Sequence, residues 1–483
     1  MDDEFAFLHP GSLALRAHCG EDFSGLVHCA RGVLGFCGSL SAAYLTIDSV
    51  QFFLLGSIKF DTIAISIGIV GTMDYSTKSR EELIAVCKEK GVKGYSGKKK
   101  ADLLQLLSTD ESAAAGAAAV AVDPVVPVVT VDPVDKIHRL NYIGSKFQLL
   151  DWITAHMKEQ TGWSSFANKT IADLFAGTGV VSYHFRKQMA RVISNDAELY
   201  SSIISHAFTR SVYTDTCKKI IEEFQKDIQD NKHSTTVGFV TTHYSPYNSN
   251  ERKFFTIDNA MRIDYIRSAL ERVKHTLSDD EYAFLLASIL LSADAVSNVP
   301  AVYGCFLKNF KTKAMKTLTL SPIHTNTTPP VDGSITYHSD VLDIGLLTSF
   351  ESDAVYLDPP YNERQYSKNY FPLNIIAKTP DTLLSELPLK GKTGIPSDCF
   401  LSPFCKKGET VEKAFDVLFR TLKTKWVFLS YNSESIVPKE KMLELMNHYG
   451  TASVMERDYK RFKSFEYNND VAIKEYLFCL HKH

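Results

Sequence analysis

No Cys-x-x-Cys pair occurs in this 483-residue sequence, although it holds nine cysteines. Zinc ribbons and dithiol redox sites need that spacing, so neither is expected, and no metal site is assigned. Thiols scattered in this way point to a reducing compartment, cytoplasmic or nuclear, rather than to a disulfide framework. An unbroken apolar run of membrane-spanning length is also missing. The most apolar stretch, 44–70, is interrupted by Asp48, Lys59 and Asp61, so no membrane partner is expected. The chain opens Met-Asp-Asp-Glu, the wrong charge for a secretory signal. There is little net charge, −3 in all, so a polyanion could be held only by local basic patches. What remains is the composition of a globular protein long enough for two or three domains.

The chain changes character near residue 73. Residues 1–72 carry one lysine (Lys59), no asparagine and three of the nine cysteines. A separate domain would give such a break, and so would a start codon at Met73; the second is the expectation here, and the segment is assigned no function. Residues 73–110 read as a helical module. Ser79 and Glu82 have capping-box spacing, and Leu83, Ile84 and Cys87 fall on one helical face. Gly91 and Gly94 end that helix. Lys98, Lys99 and Lys100 then lead into a second, leucine-rich one. Residues 111–134 form a linker stiffened by Pro124, Pro127 and Pro133.

From 135 onward short apolar runs alternate with amphipathic segments. Strands are predicted at 170–175, 192–194, 354–357 and 426–430, with a last one near Tyr476, and helices at 180–190 and 411–423. This is the pattern of a doubly wound α/β sheet. Residues 211–334 interrupt it with helices predicted at 214–229, 258–275 and 279–295, an insertion of the kind that carries specificity.

Two sites carry chemistry. Asp173-Leu-Phe175-Ala176-Gly177-Thr-Gly179 lies where a strand turns into a helix, and glycines there let the backbone approach a ligand closely. It is neither a dinucleotide fingerprint nor a phosphate loop, because the G-x-G-x-x-G spacing is absent and no Gly-Lys-Ser/Thr follows. Asp196, about twenty residues on, suits a ribose diol; a helix cap is the alternative, and the spacing from Gly177 favours the ribose. The second site, Asp358-Pro359-Pro360-Tyr361, follows the run Ala354–Leu357. Two prolines end a strand sharply and expose a carbonyl with no competing amide. The Asp358 carboxylate and the Pro359 carbonyl could draw aside the hydrogens of a conjugated amine such as that of adenine. Tyr361 could stack on a base swung out of a duplex. Taken alone, the motif would also suit a rigid surface turn.

Asn141-Tyr142-Ile143-Gly144-Ser145-Lys146, then 173–179, then 358–361, follow the order of Dam-related, α-group N6-adenine DNA methyltransferases, which the region 136–483 resembles. That resemblance implies a seven-stranded Rossmann-like sheet built from 135–210 and 335–483, with 211–334 as a target-recognition domain. It implies S-adenosyl-L-methionine as cofactor and double-stranded DNA as substrate. Tyr142 and Lys146 would meet the methionine end of the cofactor, with Lys146 on its carboxylate. Phe175, Ala176 and Gly177 would lie beneath it, Asp196 would hold the ribose, and Asp340 the adenine amine. Asp358 and Tyr361 would be catalytic.

The segment Asn362–Phe371 resembles a branch of restriction-modification methyltransferases, some reading CATG and some GGATG. A cognate restriction endonuclease and a viral or bacterial setting are implied with it. Arg364, Tyr366, Lys368 and Tyr370 are the DNA contacts this suggests, joined by Lys308 and Lys311 of a basic run. Arg461 and Lys463 are further candidates. The 73–110 module resembles a SAP element that binds DNA; a solvated lysine run is the alternative. Methylation of another planar amine (cytosine N4, RNA adenine, a protein glutamine) and an inactive DNA-binding relative also stay open.

Overall fold

The computed structural model describes residues 136–459 and 473–483 throughout, and before them only 14–15, 42–47, 50–55, 83–84, 87–88 and 99–100. Chain contacts divide it into two units, Met1–Val128 and Val129–His483. In the first unit Ala42–Ile47 and Val50–Leu55 pair antiparallel, and Ala14–Leu15 runs parallel to the former. Leu83, Ile84, Cys87 and Lys88 are helical, with Leu83 and Cys87 buried one turn apart. The rest of the SAP-like module, the 111–134 linker, and Arg461 and Lys463 lie outside the described residues.

The second unit is built on seven strands: β1 (Thr170–Asp173), β2 (Arg191–Asp196), β3 (Ile335–His338), β4 (Ser352–Leu357), β5 (Thr424–Asn432), β6 (Gly450–Tyr459) and β7 (Ile473–Lys482). Their spatial order is β3-β2-β1-β4-β5-β7-β6. All neighbours are parallel except β7, which runs antiparallel to both β5 and β6. The doubly wound α/β expectation is met. Strands β3 and β6 were not predicted; β3 is a polar, half-exposed edge strand without the apolar run that marks a buried one.

The sheet has a core on each face because its strand residues alternate. Ala354 and Tyr356 of β4 face helices α1 (Leu150–Thr161) and α2 (Val180–Lys187), with Ile153, Met157 and Phe185. Val355 and Leu357 face the other way. There they meet Phe415 and Phe419 of α10 (Glu409–Thr421) and Met442 and Met446 of α11 (Lys439–Asn447). Between α2 and α10 in the chain lie α3 (Leu199–Thr209), α4 (Asp215–Gln229), α5 (Phe239–Tyr244), α6 (Ile257–Val273), α7 (Asp279–Ala295), α8 (Ile344–Thr348) and α9 (Tyr366–Ala377).

The inserted helices begin where their caps dictate. Thr214 and Thr256 each accept a backbone N–H of the first turn, and Ser278 with Glu281 completes a capping box. These helices build no separate core. Phe224, Ile263, Phe284 and Leu290 pack in one cluster with Ile204 and Phe208 of α3 and Leu373 of α9. Buried arginines fasten the seam by satisfying carbonyls that helix ends leave open. Arg267 of α6 donates to the Ile376 and Lys378 carbonyls at 2.8 and 3.0 Å. Arg186 donates to those of Phe208 and Ser211 at 2.9 and 2.7 Å. The insert thereby shares one core with α3 and α9.

Candidate active site

Strands β1 and β4 are neighbours where the strand order reverses, and the loops leaving their carboxyl ends open a crevice. After Asp173 the chain turns through Leu174–Gly179 into α2. Gly177 (φ +53°) and Gly179 (φ +70°) take the left-handed backbone that a Cβ disfavours. A Cβ on Gly177 would stand 3.2 Å from the Tyr142 ring; one on Gly179 would meet Phe208 at 2.9 Å and the Ser205 backbone at 3.0 Å. Gly177 thus keeps the wall of the crevice open, and Gly179 lets α3 close behind it.

Strand β2 delivers Asn195 and Asp196 beside that turn. Asp196 accepts the Gly177 N–H on Oδ2 at 2.8 Å and the Glu198 N–H on Oδ1 at 2.9 Å, which locks the two loops together. Burial pushes its carboxyl above the usual range, opposed by those two bonds. Asn195 donates to the Leu174 and Ser339 carbonyls, while its Oδ1 is buried without a partner. Glu198 accepts from Asn374 of α9 at 2.7 Å, and burial lifts its carboxyl to about 7.

Strand β4 delivers Asp358-Pro359-Pro360-Tyr361. The Asp358 Oδ1 lies 2.8 Å from the Lys146 ammonium, which also donates to the Gly144 carbonyl at 3.0 Å and lies 3.5 Å from Oε1 of Glu475 on β7. Burial raises the Asp358 carboxyl and the lysine lowers it. Lys146 itself is pushed well above its ordinary value, because its two carboxylates outweigh burial.

Of the residues predicted from sequence, Tyr142, Lys146, Phe175, Ala176, Gly177, Asp196, Asp340, Asp358, Pro359, Pro360, Tyr361 and Tyr366 line one cleft of about 910 Å³, its mouth included. Asp173 and Gly179 lie behind its wall. Asp173 accepts the Ser182 hydroxyl at 2.7 Å on one oxygen, and the other is buried without a partner. Burial lifts its carboxyl to about 7 against the pull of Ser182. Lys146, assigned from sequence to a cofactor carboxylate, donates to the Gly144 carbonyl and lies against the Asp358 and Glu475 carboxylates.

The predicted DNA contacts divide. Arg364, Lys368 and Lys308 are exposed. Tyr370 is fully buried, stacked 4.9 Å from Tyr142, with its hydroxyl accepting the Ile143 N–H at 3.0 Å. Tyr366 packs on the same ring and donates to the Ile143 carbonyl at 3.3 Å. Lys311 donates to the Val299 carbonyl of its own loop. Pro372 sits inside α9, and the helix is irregular at Tyr370.

Sequence reading missed Glu475, Glu198 and the Phe400 and Ser402 wall; the Gln365 amide donates to the Ser402 carbonyl and accepts its N–H. A carboxylate within the apolar run of β7 was the available signal for Glu475.

A sheet of this order with one antiparallel strand, a glycine turn after β1 and Asp-Pro-Pro-Tyr after β4 defines a methyltransferase. Residues 142–445 match the family model described as D12 class N6 adenine-specific DNA methyltransferase, and the chain belongs to that family. It is an adenine-specific DNA methyltransferase. It is similar to the Type II methyltransferase M.CviAII of Paramecium bursaria Chlorella virus 1, 40% identical over 349 residues, 71% of this chain and 99% of that one. Type II methyltransferase M.NlaIII of Neisseria lactamica is 35% identical over 68% of this chain and 94% of its own. Type II methyltransferase M.FokI of Planomicrobium okeanokoites is 31% identical over 71% and 53%. Among the described residues no helix is long and apolar enough to cross a membrane.

Proposed function

We propose that this chain transfers a methyl group from S-adenosyl-L-methionine to N6 of adenine in a short double-stranded DNA site, as the modification half of an intracellular restriction-modification system. The observation that carries this reading is the convergence, in one cleft, of the glycine turn with Asp358 and Tyr361. The residues present fit the cofactor. Gly177 leaves a wall that a side chain would fill, the Asn195 Oδ1 is an unmet buried acceptor, and carboxylates stand at the ends of β2 and after β3.

Asp196 would hold the ribose hydroxyls and Asp340 the adenine amine. Phe175 and Ala176 would lie beneath the cofactor and Tyr142 beside it. Asp173 would act from behind the wall as a charge facing its ammonium. When bound, the cofactor supplies an electrophilic methyl on a sulfonium.

The protein's part is placement and electrostatics. Asp358, kept ionised by Lys146, accepts one N6 hydrogen. The Pro359 carbonyl accepts the other, so the lone pair turns toward the methyl. Tyr361 stacks on the extruded base, an interaction worth roughly 1–3 kcal/mol. Lys146 serves Asp358 rather than the cofactor carboxylate, since it is held between Asp358 and the Gly144 carbonyl. Arg364 and Lys368 contact the DNA backbone. Residues 211–334 read the target, CATG being the first to test, and the 73–110 module adds a second contact to the duplex. A nuclease of the same specificity is the partner this function requires.

The test is incubation with radiolabelled cofactor and unmethylated genomic DNA, digestion to nucleosides and identification of the labelled one. Label on N6-methyladenine, clustered at one short sequence, is the expected result. Label on cytosine, or on RNA or protein alone, would overturn it.

A further inference from the structure

Glu475 has no part in the chemistry described so far, yet it stands directly behind Lys146, which lines the catalytic cleft. It sits on β7, only 5% exposed, and its Oε1 faces the Lys146 ammonium at 3.5 Å with no hydrogen-bond partner. The same ammonium holds Asp358 at 2.8 Å. One cation therefore bridges a buried carboxylate and a half-buried one, and the three groups together carry one negative charge. Burial makes that excess costly, and it disappears if the group takes up a single proton. Methyl transfer to an amine releases a single proton.

Resting on the function proposed above, we infer that Glu475 is the terminal proton acceptor of the reaction, reached through Lys146. In transfer the N6 lone pair forms the new N–C bond. The C–S bond breaks with its electron pair left on sulfur, and N6 is left positively charged. Asp358 takes one N6 proton, which restores the neutral amine. It passes that proton to the Lys146 Nζ as Lys146 gives one of its own to the Glu475 Oε1. Asp358 is then ionised again, Lys146 is still a cation, and Glu475 is neutral. The catalytic carboxylate is reset without opening the cleft to water.

The groups facing Glu475 are consistent with this direction of travel. Lys146 lowers its carboxyl, while Asp358 and burial raise it, burial most. Tyr361 stands near on the β4 side. Across the sheet Glu475 is in register with Asn432 of β5 and Arg457 of β6, and Arg457 is exposed.

The experiment compares E475Q and E475D with the unaltered protein in single-turnover methylation across pH, and in infrared difference spectra of one turnover. Gln keeps the shape and cannot take the proton; Asp keeps the carboxylate on a shorter arm. E475Q is expected to bind cofactor normally, to slow transfer about tenfold to a hundredfold, and to lose the acid limb that pre-protonation of Glu475 gives the rate. Its spectrum should lack a protonated-carboxyl band that the unaltered protein and E475D both show after turnover. The inference is overturned if both variants behave alike, whether near normal or equally impaired, or if the band persists in E475Q. If the unaltered protein labels no adenine, the failure is that of the function proposed above and not of the relay.

Discussion

The Lys146 ammonium, six residues into the first motif, lies 2.8 Å from the Asp358 carboxylate, more than two hundred residues later in the chain. The pair joins the segment before α1 to the end of β4. It sets a cation against a half-buried carboxylate, favouring its ionised form where an acceptor is needed.

Lys146→Met should therefore separate charge from shape. The Asp358 carboxyl, raised by burial and held down by the lysine, would rise further. A larger share of it would then be protonated and unable to act as an acceptor. Transfer is expected to drop about a hundredfold at pH 7 and to recover in part as pH rises and Asp358 ionises. Removing one member of a buried pair costs about 3–5 kcal/mol. Asp358 is 21% exposed and can relieve itself by protonation, so a loss nearer about 2 kcal/mol is expected in urea unfolding. Asp358→Asn should lose transfer by about 10²–10³-fold at every pH while leaving cofactor affinity within a few-fold. Recovery of Asp358→Asn at high pH would remove the carboxylate from this role.

The two glycines of the turn should fail differently. At Gly177→Ala the new methyl meets the edge of a tyrosine ring at 3.2 Å beside the cleft. Cofactor affinity should fall, with a stability loss of about 1 kcal/mol from the left-handed backbone. At Gly179→Ala the methyl meets the Ser205 backbone at 3.0 Å and a Phe208 ring packed in the core. A loss of about 2–3 kcal/mol is expected there. Calorimetric titration and urea unfolding on both variants check the contrast; equal effects would count against it.

Asp173 predicts a pH dependence of stability with a definite sign. Burial lifts its folded carboxyl to about 7, far above the unfolded value, so the folded state binds the extra proton. Stability in the ligand-free protein should fall as pH rises from about 4 to about 7, where the unfolded carboxyl is already ionised and the folded one is losing its proton. Glu198, also lifted to about 7, adds to the same slope. Asp173→Asn should flatten the slope by about half in unfolding measured at pH 5 and pH 7.5. An unchanged slope would show that Asp173 is ionised throughout.

How far the sequence speaks for this fold depends on which pattern each element obeys. Strand β4 reads clearly because its residues are buried on both faces, leaving an apolar run that ends at two prolines. Helices α4, α6 and α7 read clearly because Thr214, Thr256 and Ser278 cap them. Strand β3 does not, since an edge strand carries no such run. The site was legible where motif and position coincide, at Gly177, Asp196 and Asp358. It was not legible where a long-range contact decides the role. Nothing local turns Tyr370 inward onto Tyr142 or gives Lys146 a partner on β7; both follow from tertiary packing.

That inward turn separates the aromatic and cationic residues after the Asp-Pro-Pro-Tyr motif, and the separation can be measured. Arg364 and Lys368 are exposed on the loop and first turn of α9, whereas Tyr370 lies wholly inside. A side chain that neutralises a phosphate releases a counterion, so each lost contact lowers the salt dependence of DNA affinity by about one unit of slope. Arg364→Ala and Lys368→Ala should each reduce the slope of log affinity against log salt by about one. Tyr370→Phe should leave that slope unchanged and cost about 1 kcal/mol of stability, because it removes the acceptor of the half-buried Ile143 N–H. Fluorescence anisotropy on one duplex over a range of salt concentrations distinguishes the two. A changed slope in Tyr370→Phe would mean that this ring reaches the DNA, and the helix would then have to open at Pro372 when the duplex binds.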